Sequence, residues 1–205
     1  MYEKNYINSI NTGLKESTYK IDQKHIDQEP FFNAVNKLLI KVQKSHGRIF
    51  FFGNGASASF SNHMALDWSK NGGILSFSLS DSSMLTALAN DYSYEEAFLE
   101  FLKINNPTEH DLVITTSSSG NSPNIVSVLE YCNKININTL GLSGLRKNNK
   151  SVQLATYSLF VPMKTYGMVE CIHQVFHHLL LDKFMDIKEW EKLESQNMNS
   201  NNFKL

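Results

Sequence analysis

Asp111-Leu112-Val113-Ile114-Thr115 runs straight into Thr116-Ser117-Ser118-Ser119-Gly120-Asn121-Ser122-Pro123, and this junction decides how the rest of the chain reads. An apolar run of strand length ends in hydroxyls and a glycine, and a helical pattern then opens. Ser122 reads as the N-cap and Pro123 as the first helical residue, where a missing N–H costs nothing. A strand–loop–helix junction of this kind offers free backbone N–H groups and the positive end of a helix dipole to an anion. A serine-rich turn without a ligand has the same composition, so the loop by itself points to a phosphate cradle without naming a substrate.

Working outward, the same unit occurs earlier: apolar 49–52 leads into Gly53-Asn54-Gly55-Ala56-Ser57 and a helix over 57–70. Further apolar runs at 74–79, 139–142 and 157–161 read as strands. Helical patterns lie at 83–88, 94–103 and 123–135, with a long helix after Gly167. Strands separated by helices imply a parallel sheet covered on both faces. The expected fold is therefore α/β, a doubly wound five-stranded parallel sheet flanked by helices. Residues 1–45 form an N-terminal helical leader, in which Phe31, Phe32, Val35, Leu38, Leu39 and Val42 recur at helix-face spacing. Residues 46–187 hold the binding domain and 188–205 a polar tail, frayed across 194–202. Ligands of such sheets bind at the carboxyl ends of the strands, where both loops lie.

Composition excludes several classes. The chain has 205 residues, 41% of them hydrophobic, enough for one well-buried domain. With 19 basic and 20 acidic residues there is no basic field for nucleic acid. No apolar run approaches bilayer length, and the start lacks a signal-peptide layout, so no membrane contact and a cytoplasmic location are expected. Cys132 and Cys171 sit in apolar helical contexts and read as core residues. Gly53-Asn54-Gly55 is not a dinucleotide fingerprint, because its third glycine would fall on Ala58 and only Asp81 stands near the end of the second strand. No nucleotide cofactor is expected.

His63 and Asp67 stand four apart on a predicted helix and share one face. A surface pair on a solvated helix has that spacing too. On the last helix Glu170, His173 and His177 share a stripe, whereas His178 is rotated about 80° from Glu170 and lies about 12 Å along the axis. One helix cannot bring Glu170 and His178 to one centre, and His177 reads as a buried, hydrogen-bonded histidine.

Gly-Asn-Gly-Ala-Ser after the first strand, Asn90-Asp91-Tyr92 before the third, Ser-Ser-Ser-Gly-Asn-Ser after it and Glu170-x-x-His173 opening the last helix together resemble the sugar isomerase (SIS) domain, and within it the phosphoheptose isomerase family. The resemblance covers residues 30–187. It implies a homotetramer with interfacial active sites and conversion of sedoheptulose 7-phosphate to D-glycero-D-manno-heptose 7-phosphate for surface polysaccharide. It places phosphate-binding hydroxyls on Ser57, Ser117, Ser118, Ser119 and Ser122. Asn54, Asp91 and Glu170 fall among the substrate-binding positions, and the catalytic pair falls on Asp67 and His178. It also implies a zinc or other divalent metal held by His63, Asp67, Glu170 and His178, two imidazoles and two carboxylates. Asp67 stands where the family has glutamate, and Glu170 where it has glutamine. The alternatives are an isomerase of another ketose phosphate and a catalytically silent SIS adaptor, such as one that binds a replication initiator.

Overall fold

The computed structural model describes residues 1–192, so the polar stretch 194–202 lies outside the described residues. The strands are β1 (Thr18–Ile21), β2 (Lys24–Ile26), β3 (Ile49–Gly53), β4 (Ser76–Ser78), β5 (Leu112–Ser117), β6 (Asn138–Gly144) and β7 (Tyr157–Val161). The helices are α1 (Tyr2–Glu16), α2 (Gln28–Lys44), α3 (Ala56–Lys70), α4 (Ser82–Asp91), α5 (Ala97–Ile104), α6 (Pro123–Lys134), α7 (Lys150–Leu154), α8 (Tyr166–Met185) and α9 (Glu189–Lys192).

All five expected strands pair in parallel, in the order β7-β6-β5-β3-β4. The chain moves from β3 to β4 on one side and then returns to place β5 on the other. The strand order therefore reverses between β3 and β5, the switch point at which doubly wound sheets bind ligands. Both distinctive loops leave the sheet there.

The continuous apolar reading of β3 follows from burial on both faces. Ile49 and Phe51 face a core with Val35, Leu39, Met64, Trp68, Ile172 and Phe176. Phe50 and Phe52 face the opposite core with Phe98, Leu102, Ile125, Val128 and Cys132. Helices α1, α2, α3 and α8 thus cover one face, and α5 and α6 the other. Burial pushes the Cys132 thiol up to about 12, in keeping with a core residue.

The leader departs from a purely helical reading. Between α1 and α2 it folds into the hairpin β1–β2, and β1 pairs antiparallel with β7, widening the sheet to seven strands. The hairpin turns on Asp22 and Gln23, both at positive φ (47° and 66°). A two-residue loop of this type normally advertises itself by Asn-Gly or Asp-Gly; Asp-Gln carries no such signal. The short helix α7 was also not expected, β4 is shorter than the apolar run that marked it, and α5 starts three residues later than its pattern.

At the base of the sheet Arg48 ties β3 to β5. Its Nε and Nη2 donate to the two carboxylate oxygens of Asp111 (3.1 and 2.7 Å), and Nη1 donates to the Asn105 carbonyl (2.9 Å). The backbone N–H groups of Arg48 and Thr108 also donate to Asp111. Burial alone would raise the Asp111 pKa, but these donors hold it below the usual carboxylate value. Its contribution is therefore present above the ordinary value of 3.8 and is lost as the pH falls through the depressed one. Arg48→Ala leaves Asp111, 1% exposed, without its cation, and is expected to cost about 3 kcal/mol, the low end for breaking a buried pair because the two backbone donors remain. Urea denaturation at neutral pH and again at about pH 3 checks this, because the difference between wild type and variant should shrink in acid.

Candidate active site

Two features at the switch point shape the first half of the site. Gly55 precedes α3 at φ +58°, a conformation costly for any residue with a Cβ. Gly120 sits at φ +64°, and a Cβ there would lie 2.1 Å from Asn149 Oδ1, so the serine loop can close only around a glycine. The connection from β6 to α7 braces that loop: Gly144 N–H donates to the Ser118 carbonyl (3.0 Å), Ser151 N–H to the Gly120 carbonyl (2.9 Å) and Lys150 N–H to Asn121 Oδ1 (2.9 Å).

The loop encloses a cavity of about 90 Å³ lined by all five expected hydroxyls, Ser57, Ser117, Ser118, Ser119 and Ser122, with Asn54, Thr116, Tyr166 and Glu170. Among the described residues no lysine or arginine lines it, so an anion there would be held by neutral donors and by the starts of α3 and α6. Ser118 Oγ is buried in this lining with no hydrogen-bond partner in the protein, so it is available to donate to a bound anion. Ser122 is the N-cap residue of α6, but its hydroxyl does not bond a helix N–H. It lies 3.3 Å from Ser117 Oγ instead, turned into the cavity. Asn54 exchanges two hydrogen bonds with Asn124 (2.9 and 3.0 Å) and accepts a third from the Tyr94 hydroxyl (2.8 Å). Asn124 and Tyr94 carry no signal in the sequence, since they reach Asn54 only through the fold. Asp91 does not join this group. It ends α4, exposed, accepts from Asn90 and is not among the cavity's lining residues.

The second half of the site lies farther along α3 and α8. His63 Nε2 is 3.1 Å from Asp67 Oδ2, and the ring of His63 is 5.5 Å from that of His178. Ligand atoms of His63, Asp67 and His178 all lie within 4.8 Å of one another. Asp67 is 13% exposed and His63 48% exposed, so the cluster faces solvent on one side. Two imidazoles and a carboxylate with open positions are the donor set of a catalytic zinc site, and the three residues fit such an ion. Glu170 is not with them; it lines the serine cavity, consistent with its distance from His178 along α8.

Of the other two histidines on α8, His173 Nε2 lies 3.2 Å from the Ser143 carbonyl and His177 Nε2 lies 2.8 Å from Thr116 Oγ1. Burial lowers their pKa values to about 4 and about 3, the nearby His173 and His178 adding to the effect on His177. Both are neutral, hydrogen-bonded core residues at neutral pH. The described helices include none long and apolar enough to cross a membrane.

The sequence pattern of the SIS domain matches residues 14–144. A protein named phosphoheptose isomerase from Helicobacter pylori strain Shi470 is 36% identical over 164 residues, covering 76% of this chain and 82% of the relative. One of the same name from Aneurinibacillus thermoaerophilus is 35% identical over 147 residues, 69% of this chain and 73% of the relative. The fold is similar to that of phosphoheptose isomerase GmhA from Neisseria gonorrhoeae, with a TM-score of 0.75 at 23% identity over 89% of this chain and 95% of that one. The match over most of its length, and the serine loop at the switch point, show that this chain belongs to the SIS domain family.

Proposed function

We propose that this chain is an aldose–ketose isomerase that converts sedoheptulose 7-phosphate to D-glycero-D-manno-heptose 7-phosphate, in the cytoplasm, for surface polysaccharide. The observation that carries this reading is that one helix pair bears both halves of a site: the starts of α3 and α8 border the serine cavity, and their later turns present His63, Asp67 and His178. The names of the relatives support the seven-carbon substrate.

The phosphate sits in the cradle, bonded by Ser57, Ser117, Ser118, Ser119 and Ser122, while Asn54 and Glu170 meet the sugar hydroxyls. We also keep Asp91 as a sugar-binding position that would have to approach as substrate binds. Isomerisation removes a proton from the carbon beside the carbonyl and returns one to the neighbouring carbon. Asp67 takes that proton, with His63 against its carboxylate to orient it. His178 donates to the oxygen that becomes the enediol hydroxyl. A zinc ion held by His63, Asp67 and His178 would polarise the substrate oxygens as a Lewis acid, and Glu170 from a neighbouring subunit would complete the set of four.

That last arrangement calls for a closed oligomer, which we propose is a tetramer. The apolar face of α2 is buried in this chain's own core and is not free to serve as the subunit contact. An open groove of about 960 Å³ beside His178 is lined by Val175, Leu179, Ile187 and Trp190, with Val175 43% and Trp190 70% exposed. Light scattering at micromolar concentration should return a tetramer, and Leu179→Asp should dissociate it and abolish turnover; a wild-type monomer would contradict the shared site.

The direct test is an NMR assay of six- and seven-carbon ketose phosphates. Turnover of the seven-carbon sugar is expected, and binding of a protein partner with no turnover of any sugar phosphate would overturn the proposal. In the same preparation Ser119→Ala and Ser122→Ala should each weaken sugar-phosphate binding by about 1–3 kcal/mol, the range for a hydrogen bond to a charged group. Calorimetric titration showing unchanged affinity in both would remove the loop from the site.

A further inference from the structure

The cradle and the His63–Asp67–His178 cluster lie on different turns of the same two helices. From Ser57 to His63 and Asp67 is about 9–15 Å along α3, and from Glu170 to His178 about 12 Å along α8. A substrate spanning both needs that spacing held, since a misplacement of about 1 Å can cost 10²-fold in rate. Most core contacts of this part of α8, through Ile172, Phe176 and Leu180, are apolar. Apolar burial is non-directional and sets no register by itself.

Two polar contacts do: His173 meets the Ser143 carbonyl on β6, and the one beside His178 reaches the cradle strand itself. Thr116 belongs to β5 immediately before the serine loop, is 1% exposed, and lines the cradle. Its Oγ1 is 2.8 Å from Nε2 of His177, which is also 1% exposed. His177 immediately precedes His178, and about 100° of helical rotation per residue turns the first toward β5 and the second toward His63. The two partners are 61 residues apart in sequence. Removing either leaves the other buried and unsatisfied.

We infer that Thr116 and His177 are a positioning pair, which ties the strand bearing the anion cradle to the turn of α8 bearing His178 and so sets the distance between the two halves of the site. The inference rests on the reading of the cluster as the reaction centre. Neither residue needs to touch the reacting carbons; they act through the placement of His178.

The test compares His177→Phe, which keeps a planar ring but loses the bond, His177→Gln, whose amide can restore it, and His177→Phe combined with Thr116→Val, which removes both polar groups. His177→Phe should lower kcat by about tenfold or more with KM little changed, and should weaken zinc binding to the purified protein, read by chelator competition, by about 10–100-fold, the usual effect of losing a group that orients a metal ligand. His177→Gln should recover both. The double variant should recover Tm but not kcat, because it satisfies the core without restoring the tie. Wild-type kcat and zinc affinity in His177→Phe, or a double variant in which kcat returns with Tm, would overturn the inference. A wild-type protein that holds zinc yet turns over no ketose phosphate would sink the isomerase reading, while zinc affinity would still decide the pair.

Discussion

Asp67→Asn is expected to lower turnover by about 10²–10⁴-fold, the worth of a positioned general base, with the fold intact. The substitution keeps the side-chain shape and can still hydrogen-bond His63, now 3.1 Å from the carboxylate, but it cannot accept a proton from carbon. Asp67 lies on α3 one turn beyond His63 and ten residues beyond Ser57, so its carboxylate addresses the sugar end of a substrate whose phosphate is in the cradle. Asp67 is one methylene shorter than glutamate, which shifts where along the sugar the base can reach and makes the seven-carbon ketose assay the informative one. KM should move far less than kcat, because no phosphate contact is lost. Near-normal turnover in the variant, under conditions where the wild type isomerises its substrate, would move the base to His63 or Glu170.

His178→Gln is expected to do comparable damage, again about 10²–10⁴-fold in turnover, with substrate affinity little changed because His178 is outside the serine cavity. The glutamine fills similar space on α8 but cannot carry a proton at neutral pH. Since His178 is one of three clustered residues that could together hold a metal ion, zinc carried by the wild type should be lost from this variant by elemental analysis, as from Asp67→Asn. Loss of turnover with full zinc retention would assign His178 to proton transfer alone, and parallel loss of both would assign it to the metal as well. Normal turnover would remove it from the chemistry.

The departure at Glu170 bears on both experiments. A carboxylate where the resemblance implies an amide adds negative charge to a cavity that, among the described residues, has no lysine or arginine in its lining. Near a phosphate this charge is unfavourable, whereas beside a cation contributed at a subunit interface it is favourable. In the proposed tetramer the assembly would decide what this residue does, so the light-scattering and zinc measurements are to be read together.

The amino-acid sequence by itself determined the parallel sheet, its five strands and the place of the two binding loops, because those features are local. Doubly buried strands read as unbroken apolar runs, and Ser122-Pro123 marks a helix start through chemistry confined to two residues. His63 and Asp67 were legible as a pair for the same reason, one helical turn of fixed geometry. What only the tertiary structure decided involves partners remote in the chain or turns without a distinctive residue. The hairpin at Asp22-Gln23 takes positive φ without glycine, held by pairing of β1 with β7 about 140 residues away. Asp91, expected beside the sugar, ends α4 exposed and outside the lining of the serine cavity. His178 joins His63 and Asp67, and Glu170 joins the serines, because α8 lies against α3 and a single helix holds those two side chains about 12 Å apart. The bond between Thr116 and His177 belongs to the same class: nothing local foretells it, since packing alone brings a strand end and a helix turn 61 residues apart within 2.8 Å.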